Sequence, residues 1–514
     1  MLVVLAMFAW LAGMAWLRPL MAPDEGRYAG VAFEMLRSGD WLVPRLNGLP
    51  FFHKPPLFYW IAASAMSLFG ISEWAARLPS VIGATIAAAG LWLFVRRWMN
   101  ETLALWSVAV VGTMPFFYVG AQFANLDMLV AGCISATLLL AAHAVLAREA
   151  SQPFRWPLAG AFAMAALGVL SKGLIGLVLP GLVFLAWCGA TGRLRCMSLL
   201  AWPPGWAIFV LLAGPWFVLM QLRYPEFFDY FIVTQHVRRF AASGFNNERP
   251  FWFYLPVVAG LTLPWFGWLA VGVWRRRGIG GRLSDTDWLM AIWLVVVMVF
   301  FSMPRSKLIG YVLPALPPLA YFIARGAVLM RGAIGPSQRG LRWTAGSAAA
   351  LCIASVSALG ILGAPPGHGL RLPAAHAVGA RDEVLMLDTY VYELPFYWRL
   401  QRPVSVFADW RPEVANARDN WRKELGDAAR FEPALHARVL IDPSGISALL
   451  CGPQVVWIVA APEAQAQIPW LADAELVARN DRMAVWRSAG GNVTARAHCL
   501  ETPRAGSPGT SVPP

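Results

Sequence analysis

The chain has 514 residues, 58% of them hydrophobic and 14% charged, with a mean hydropathy of +0.54. These values exclude an ordinary soluble enzyme. A surplus of 42 Lys and Arg over 29 Asp and Glu gives a net charge of +13. Nucleic acid binding could explain that surplus, but the placement of the arginines favours cytoplasmic anchoring of a membrane protein, and no nucleic-acid partner is expected.

Apolar runs of spanning length fall near 1–20, 75–95, 102–120, 128–147, 157–170, 173–189, 199–220, 252–273, 287–303, 308–328 and 343–363, about eleven in all. Residues 1–17 lack the basic start of a signal peptide and run straight into a polar loop, so they read as a retained first helix. That loop, 22–60, crowds Asp24, Glu25, Arg27, Glu34, Arg37, Asp40, Arg45, His53 and Lys54 around two tryptophans and Pro55-Pro56. A connector between helices needs none of this. An acidic pair just beyond a membrane helix, with a lysine ahead of two prolines, suits a site for a charged lipid headgroup. Residues 27–36 and 57–69 have helical composition and are expected to lie along the membrane surface, the second starting after Pro56.

Arg96-Arg97, Arg148 with Arg155, Arg193 with Arg195, Arg275 to Arg277 with Arg282, and Arg331 with Arg339 and Arg342 fall in alternate loops. The positive-inside rule makes those loops cytoplasmic. The intervening loops, which hold every polar motif of chemical interest, then face the other side. After Gly363 the composition turns polar: 364–504 reads as a small α/β domain and 505–514 as a disordered tail. Strands are expected at 383–389, 404–408, 439–441 and 455–460, a helix over 411–430 and a hairpin over 476–486 around Asn480-Asp481. None of the six cysteines forms a C-x-x-C pair. Cys451 and Cys499 fall in the external domain, where oxidation is favoured, and are expected to form a disulfide; two unrelated thiols is the alternative.

The motifs Asp24-Glu25-x-Arg27-Tyr28, Gly39-Asp40-Trp41, Pro44, Asn47-Gly48 and Lys54-Pro55-Pro56-Leu57-x-Tyr59-Trp60 resemble the first external loop of aminoarabinose lipid A transferases. These are GT-C-class glycosyltransferases related to the protein mannosyltransferases. The resemblance runs over roughly residues 1–325 and fades in the C-terminal third. It implies a polytopic α-helical membrane protein of GT-C-like fold, with 1–363 as the transmembrane glycosyltransferase domain and a small periplasmic α/β domain behind it. The implied reaction is inverting. A sugar, 4-amino-4-deoxy-L-arabinose as the first choice, moves from a polyprenyl-phosphate donor to a lipid A or lipopolysaccharide-type acceptor at the periplasmic face of a bacterial inner membrane. A protein O-mannosyltransferase and a lipid-linked sugar transporter are the alternatives.

The candidate residues follow from that resemblance and from the residue chemistry. Asp24 matches the family's essential first-loop acid, against a helix-capping role. Asp127 begins a span on the same face, again as catalytic group or cap. Lys54, held extended before its prolines, and Lys172, in a Ser-Lys-Gly element, are expected to bind donor phosphate; interfacial anchoring is their alternative. Gln235-His236-Val237-Arg238-Arg239-Phe240 resembles a Glu-His-x-x-Arg-Phe element, and Arg238 is expected as a further phosphate ligand. Arg305-Ser306-Lys307 and Tyr311 resemble an element bordering the donor site, Lys307 facing phosphate and Tyr311 substrate. Glu25, as a structural or orienting partner, completes the substrate-binding set with Tyr28 and Tyr59. No cofactor is required. A divalent metal on His53 and His236 is an open addition, although two ligands are too few to specify one.

Overall fold

The structure, a computed structural model, describes residues 1–238, 247–270, 283–331, 336–362, 376–415, 419–472 and 474–488, together with Leu370 and Leu372. The chain divides into two compact units: Met1–Arg45 with Phe51–Ala364, and Leu46–Pro50 with Pro365–Pro514. The tail from 505 lies outside the described residues.

The first unit is helical. Six helices are long and apolar enough to cross a bilayer: Glu73–Trp98, Leu126–Glu149, Pro203–Arg223, Asp285–Ser302, Ile309–Val328 and Arg339–Leu362. Glu101–Gly112 and Pro115–Ala121 form a seventh when taken together, bent by 68° at Thr113-Met114; Pro115 cannot donate to the preceding turn. The protein is a multi-pass membrane protein. Each of the eleven expected spans lands on helix, but several are too short to cross alone. The first helix covers only Leu2–Ala12, and 252–273 yields the helix Tyr254–Leu261, followed by turns.

One tight helix crossing has a glycine on each side. A Cβ on Gly132 would sit 2.2 Å from the carbonyl oxygen of Gly83, and one on Gly83 would sit 2.5 Å from the backbone of Leu129. Bare backbones therefore bring Glu73–Trp98 against Leu126–Glu149. The sorting of loops by arginine count is visible at one set of helix ends. There Arg193 bridges Glu149 and Asp285, both at 2.8 Å, and Arg97 reaches Gln152 at 2.6 Å.

The helix Asp24–Ser38 differs from expectation. Glu25, Gly26 and Tyr28 through Met35 are all buried, so most of the helix packs against protein and does not present an apolar face outward. Through Tyr28 it packs on Phe58 and Tyr59 of the helix Leu57–Phe69, which starts after Pro56 as the sequence indicates. Gly39, at φ 71°, ends the helix by donating to Met35 O.

The second unit holds a two-stranded hairpin, β1 (Arg45–Leu46) and β2 (Leu49–Pro50), which begins at the unit boundary. Its six-stranded sheet comprises β3 (Glu383–Leu387), β4 (Ser405–Phe407), β5 (Leu440–Ile441), β6 (Val456–Ala460), β7 (Glu475–Arg479) and β8 (Ala484–Ser488). The order is β5-β4-β3-β6-β8-β7, parallel from β5 to β6 and antiparallel beyond. Leu385, Ile458, Leu471 and Trp486 form its core. The helix expected over 411–430 is two, Pro412–Ala415 and Trp421–Ala429. Asn47 ties the hairpin to the sheet: its amide donates to Val404 O at 2.9 Å and its carbonyl accepts from Val404 N at 2.7 Å. Cys451 is disulfide-bonded, while Cys133, Cys188, Cys196 and Cys352 are free thiols. The remaining cysteine, Cys499, lies outside the described residues.

Candidate active site

The site grows from the start of the helix Leu126–Glu149. Asn125 is extended (φ −143°, ψ 148°), and its side chain accepts from Asp127 N at 2.9 Å. Asn125 is therefore the cap, which releases the Asp127 carboxylate for other work. That carboxylate forms an ion pair with Lys172, the last residue of the helix Arg155–Lys172. The Lys172 ammonium also lies 4.5 Å from the ring centroid of Tyr311, a cation–π contact. Gly310 explains the close approach of this segment, since a Cβ there would meet Asp127 Oδ2 at 2.5 Å.

These groups line a cavity of about 460 Å3. Its polar wall comprises Lys54, Asp127, Lys172, Gln235, Ser306 and Tyr311; Ile134, Phe300 and Phe301 belong to an otherwise apolar wall. Two cations and one carboxylate beside hydrocarbon suit an amphiphile with an anionic head. Lys54 enters from the first loop, which is held in place by aromatic packing. Phe52 packs edge-on to Tyr224 and Phe227 at 4.9 and 5.2 Å, and Trp216 Nε1 donates to Leu42 O at 2.9 Å.

The comparisons with known proteins point the same way. Residues 53–218 match the family model described as dolichyl-phosphate-mannose-protein mannosyltransferase. The undecaprenyl phosphate-alpha-4-amino-4-deoxy-L-arabinose arabinosyl transferase of Aeromonas salmonicida is 32% identical over 359 residues, 69% of this chain and 64% of that protein. Its Erwinia tasmaniensis counterpart is 33% identical over 62% of this chain and 57% of that protein. The chain thus spans less than two thirds of the length of these curated relatives. ArnT from Cupriavidus metallidurans, solved bound to undecaprenyl phosphate, shares the fold with a TM-score of 0.78 at 24% identity, covering 95% of this chain and 97% of that one. The chain has the GT-C glycosyltransferase fold. A more distant GT-C fold, the oligosaccharyltransferase AglB from Archaeoglobus fulgidus, aligns with a TM-score of 0.52 at 12% identity over 90% of this chain and 70% of that one.

Within this GT-C fold the structure brings Lys54, Asp127, Lys172 and Tyr311 to one cavity, whereas Asp24, Glu25, Tyr28, His53, Tyr59 and Lys307 are not among its lining residues. Asp24 is the first residue of its helix and makes no side-chain cap; it pairs with Arg27 at 2.9 Å and is about one-third exposed. Tyr28 and Tyr59 are buried 6.3 Å apart, centroid to centroid, between their two helices, and neither lines the cavity.

Glu25 is corrected from substrate ligand to internal anchor. Its carboxylate is fully buried and accepts from Arg18, Arg77 (2.8 and 3.0 Å), Met21 N (3.0 Å) and Ala124 N (2.7 Å). Burial pushes its pKa up, but Arg77 and then Arg18 pull harder and leave it at about 2. Lys307 is corrected likewise. It is buried and donates to Arg249 O at 3.0 Å and to Pro304 O, so its ammonium clasps loop carbonyls and does not face a phosphate. Burial lowers its pKa from the ordinary lysine value.

His53 is buried, stacked on Phe51 at 4.5 Å and packed 5.8 Å from Tyr230. Among the described residues no three His, Cys, Asp or Glu side chains gather to hold a metal. His236 and Arg238 end a π-helical stretch, Asp229–Arg238, and their side chains lie outside the described residues. Arg18 and Arg77 escaped the sequence reading, although an arginine five residues into an apolar helix was a signal for the second.

Proposed function

We propose that this protein transfers a sugar, first among candidates 4-amino-4-deoxy-L-arabinose, from a polyprenyl-phosphate carrier to a lipid A or lipopolysaccharide-type acceptor. The cavity is the observation that carries the reading: two lysines and an aspartate at the mouth of an apolar pocket match a phosphate on a hydrocarbon chain. The names of the relatives and the undecaprenyl phosphate bound to a protein of the same fold support it.

In the proposed reaction an acceptor oxygen attacks the anomeric carbon. The bond from that carbon to the carrier phosphate breaks with inversion, and the carrier leaves as a phosphate monoester. Lys54 and Lys172 stabilise the charge that gathers on the leaving phosphate. A lipid A phosphate acceptor is already ionised, so Asp24 orients the reacting groups or the amino-sugar and abstracts no proton. This reading needs no metal.

The site is assigned to the periplasmic side of a bacterial inner membrane, because the arginine-rich loops gather at the other helix ends. The matched family model also supports a second reading, transfer to protein Ser or Thr, in which Asp24 acts as base.

The test is turnover by the full chain in vesicles carrying the polyprenyl-phosphate sugar with lipid A or a Ser/Thr peptide. Asp24→Asn should abolish transfer while membrane insertion persists; near wild-type turnover by that variant would remove Asp24 from the reaction. Labelling of peptide alone would favour the second reading.

A further inference from the structure

The helix Glu73–Trp98 carries Arg77 and Ser80, three residues apart and both fully buried. Residues at that spacing share a helix face. A buried arginine within a helix apolar enough to span is costly, so its bonds should account for its presence. Arg77 donates to Ala15 O (2.6 Å), Arg18 O (2.8 Å) and Pro19 O (2.8 Å), the strand of chain that leads into the first loop, and to both oxygens of Glu25. Asp24 is the next residue. Ser80 Oγ lies 2.7 Å from Phe123 O and 3.0 Å from Asn125 O, and Asn125 caps the helix that presents Asp127. Glu25 closes the circuit by accepting from Ala124 N at 2.7 Å, and Arg18 reaches Gln122 O at 2.6 Å.

We propose that Arg77 and Ser80 are positioning residues, a bracket on one helix face that fixes the backbone roots of Asp24 and Asp127 relative to each other. The proposal rests on the reading of those two acids as groups of the reacting site. Neither bracket residue touches substrate. Arg77 holds the first-loop root through three carbonyls and Glu25; Ser80 holds the 123–125 turn. Because both project from the same helix, separated by one turn, the two segments cannot drift independently. Lys54 and Lys172, the proposed phosphate ligands, hang from other elements. The bracket should therefore act mainly on the chemical step, because donor capture feels it only through the pair between Asp127 and Lys172.

The experiment compares full-length wild type, Ser80→Ala, Arg77→Lys and Asp24→Asn in vesicles holding undecaprenyl phosphate-linked sugar and lipid A. It reads kcat, donor KM and thermal midpoint. Ser80→Ala leaves the Arg77–Glu25 pairing whole, so it reports even if the Arg77 variant does not fold. A small misplacement of reacting groups costs up to about 100-fold in rate, so kcat should fall about tenfold in Ser80→Ala and more in Arg77→Lys, with donor KM held within about twofold. Folded Ser80→Ala with kcat within about twofold of wild type overturns the proposal, as does a donor KM that rises in step with the fall in kcat. A wild type that does not turn over this donor, or a fully active Asp24→Asn, instead sinks the functional reading beneath it.

Discussion

Alanine at two helical glycines should have opposite effects, because one glycine is a contact and the other faces open space. At Gly132 a methyl group would lie 2.2 Å from the carbonyl oxygen of Gly83 and 2.7 Å from its Cα. Both are backbone atoms of a helix, so no rotamer change relieves the clash, and the helices Glu73–Trp98 and Leu126–Glu149 must part by roughly 1 Å. Overpacking of this kind costs about 1–3 kcal/mol, and an unyielding backbone on both sides places Gly132→Ala near the top of that range. At Gly181, inside the helix Ile175–Ala190, nothing lies within 4 Å of an added Cβ. There the higher helix propensity of alanine should stabilise by up to about 1 kcal/mol. Denaturant unfolding of the purified protein in detergent measures both. Gly132→Ala should also slow transfer, since Asp127 lies five residues earlier on the displaced helix. Equal stability of the two variants would refute the reasoning, because the crossing would then tolerate a separation that the distances exclude.

Glu25→Gln should lose about 3–5 kcal/mol at neutral pH, since it leaves two buried guanidiniums without their carboxylate. Its folded pKa of about 2 lies below the ordinary 4.5, so the stabilisation is fully present above pH 4.5 and lost as pH falls toward 2. The gap between wild type and Glu25→Gln in unfolding titrations should close over that window, and a gap independent of pH would contradict the assignment. Lys54→Ala should weaken retention of undecaprenyl phosphate, with Lys54→Arg recovering part of it; unchanged affinity removes Lys54 from the phosphate site. Asn47→Ala deletes both bonds to Val404 and puts alanine at φ 55°, a combined cost of about 2–3 kcal/mol, which faster limited proteolysis of the second unit should reveal.

Local signals carried much of this into the sequence. Apolar runs mark the helices, β3 to β6 appear as short buried runs between turn residues, and β7 with β8 as a hairpin around Asn480-Asp481. What escaped are relations between distant positions. Asp127 and Lys172 were each singled out, but their pairing spans 45 residues. Asn125, beside Asp127, takes the capping role that would otherwise have explained the acid. Lys307 resembles a phosphate ligand by charge and location, yet nearby loop carbonyls satisfy it. Asn47-Gly48 forms a turn with φ values of 55° and 80°, but its tie to the sheet is made through Val404, 357 residues away. Arg77 was hidden because an apolar window averages over one charge.

The cavity's charges bear on how it would work as a catalyst. Among the described lining residues Lys54 and Lys172 contribute two positive charges and Asp127 one negative, a formal +1. A sugar-carrying polyprenyl phosphate is a diester with one negative charge, so on the proposed reaction the bound donor neutralises the site. When the sugar bond breaks, the carrier becomes a monoester whose charge approaches −2 near neutral pH. The second charge appears only as the bond breaks, and it is met by lysines already in place. Interactions that strengthen from ground state to transition state are the ones that accelerate. Asp127 serves this arrangement in two ways: it holds Lys172 over Tyr311, and it keeps the empty cavity from carrying two uncompensated cations beside hydrocarbon. A site with both lysines and no acid would grip the donor more tightly before reaction and gain less as the bond breaks.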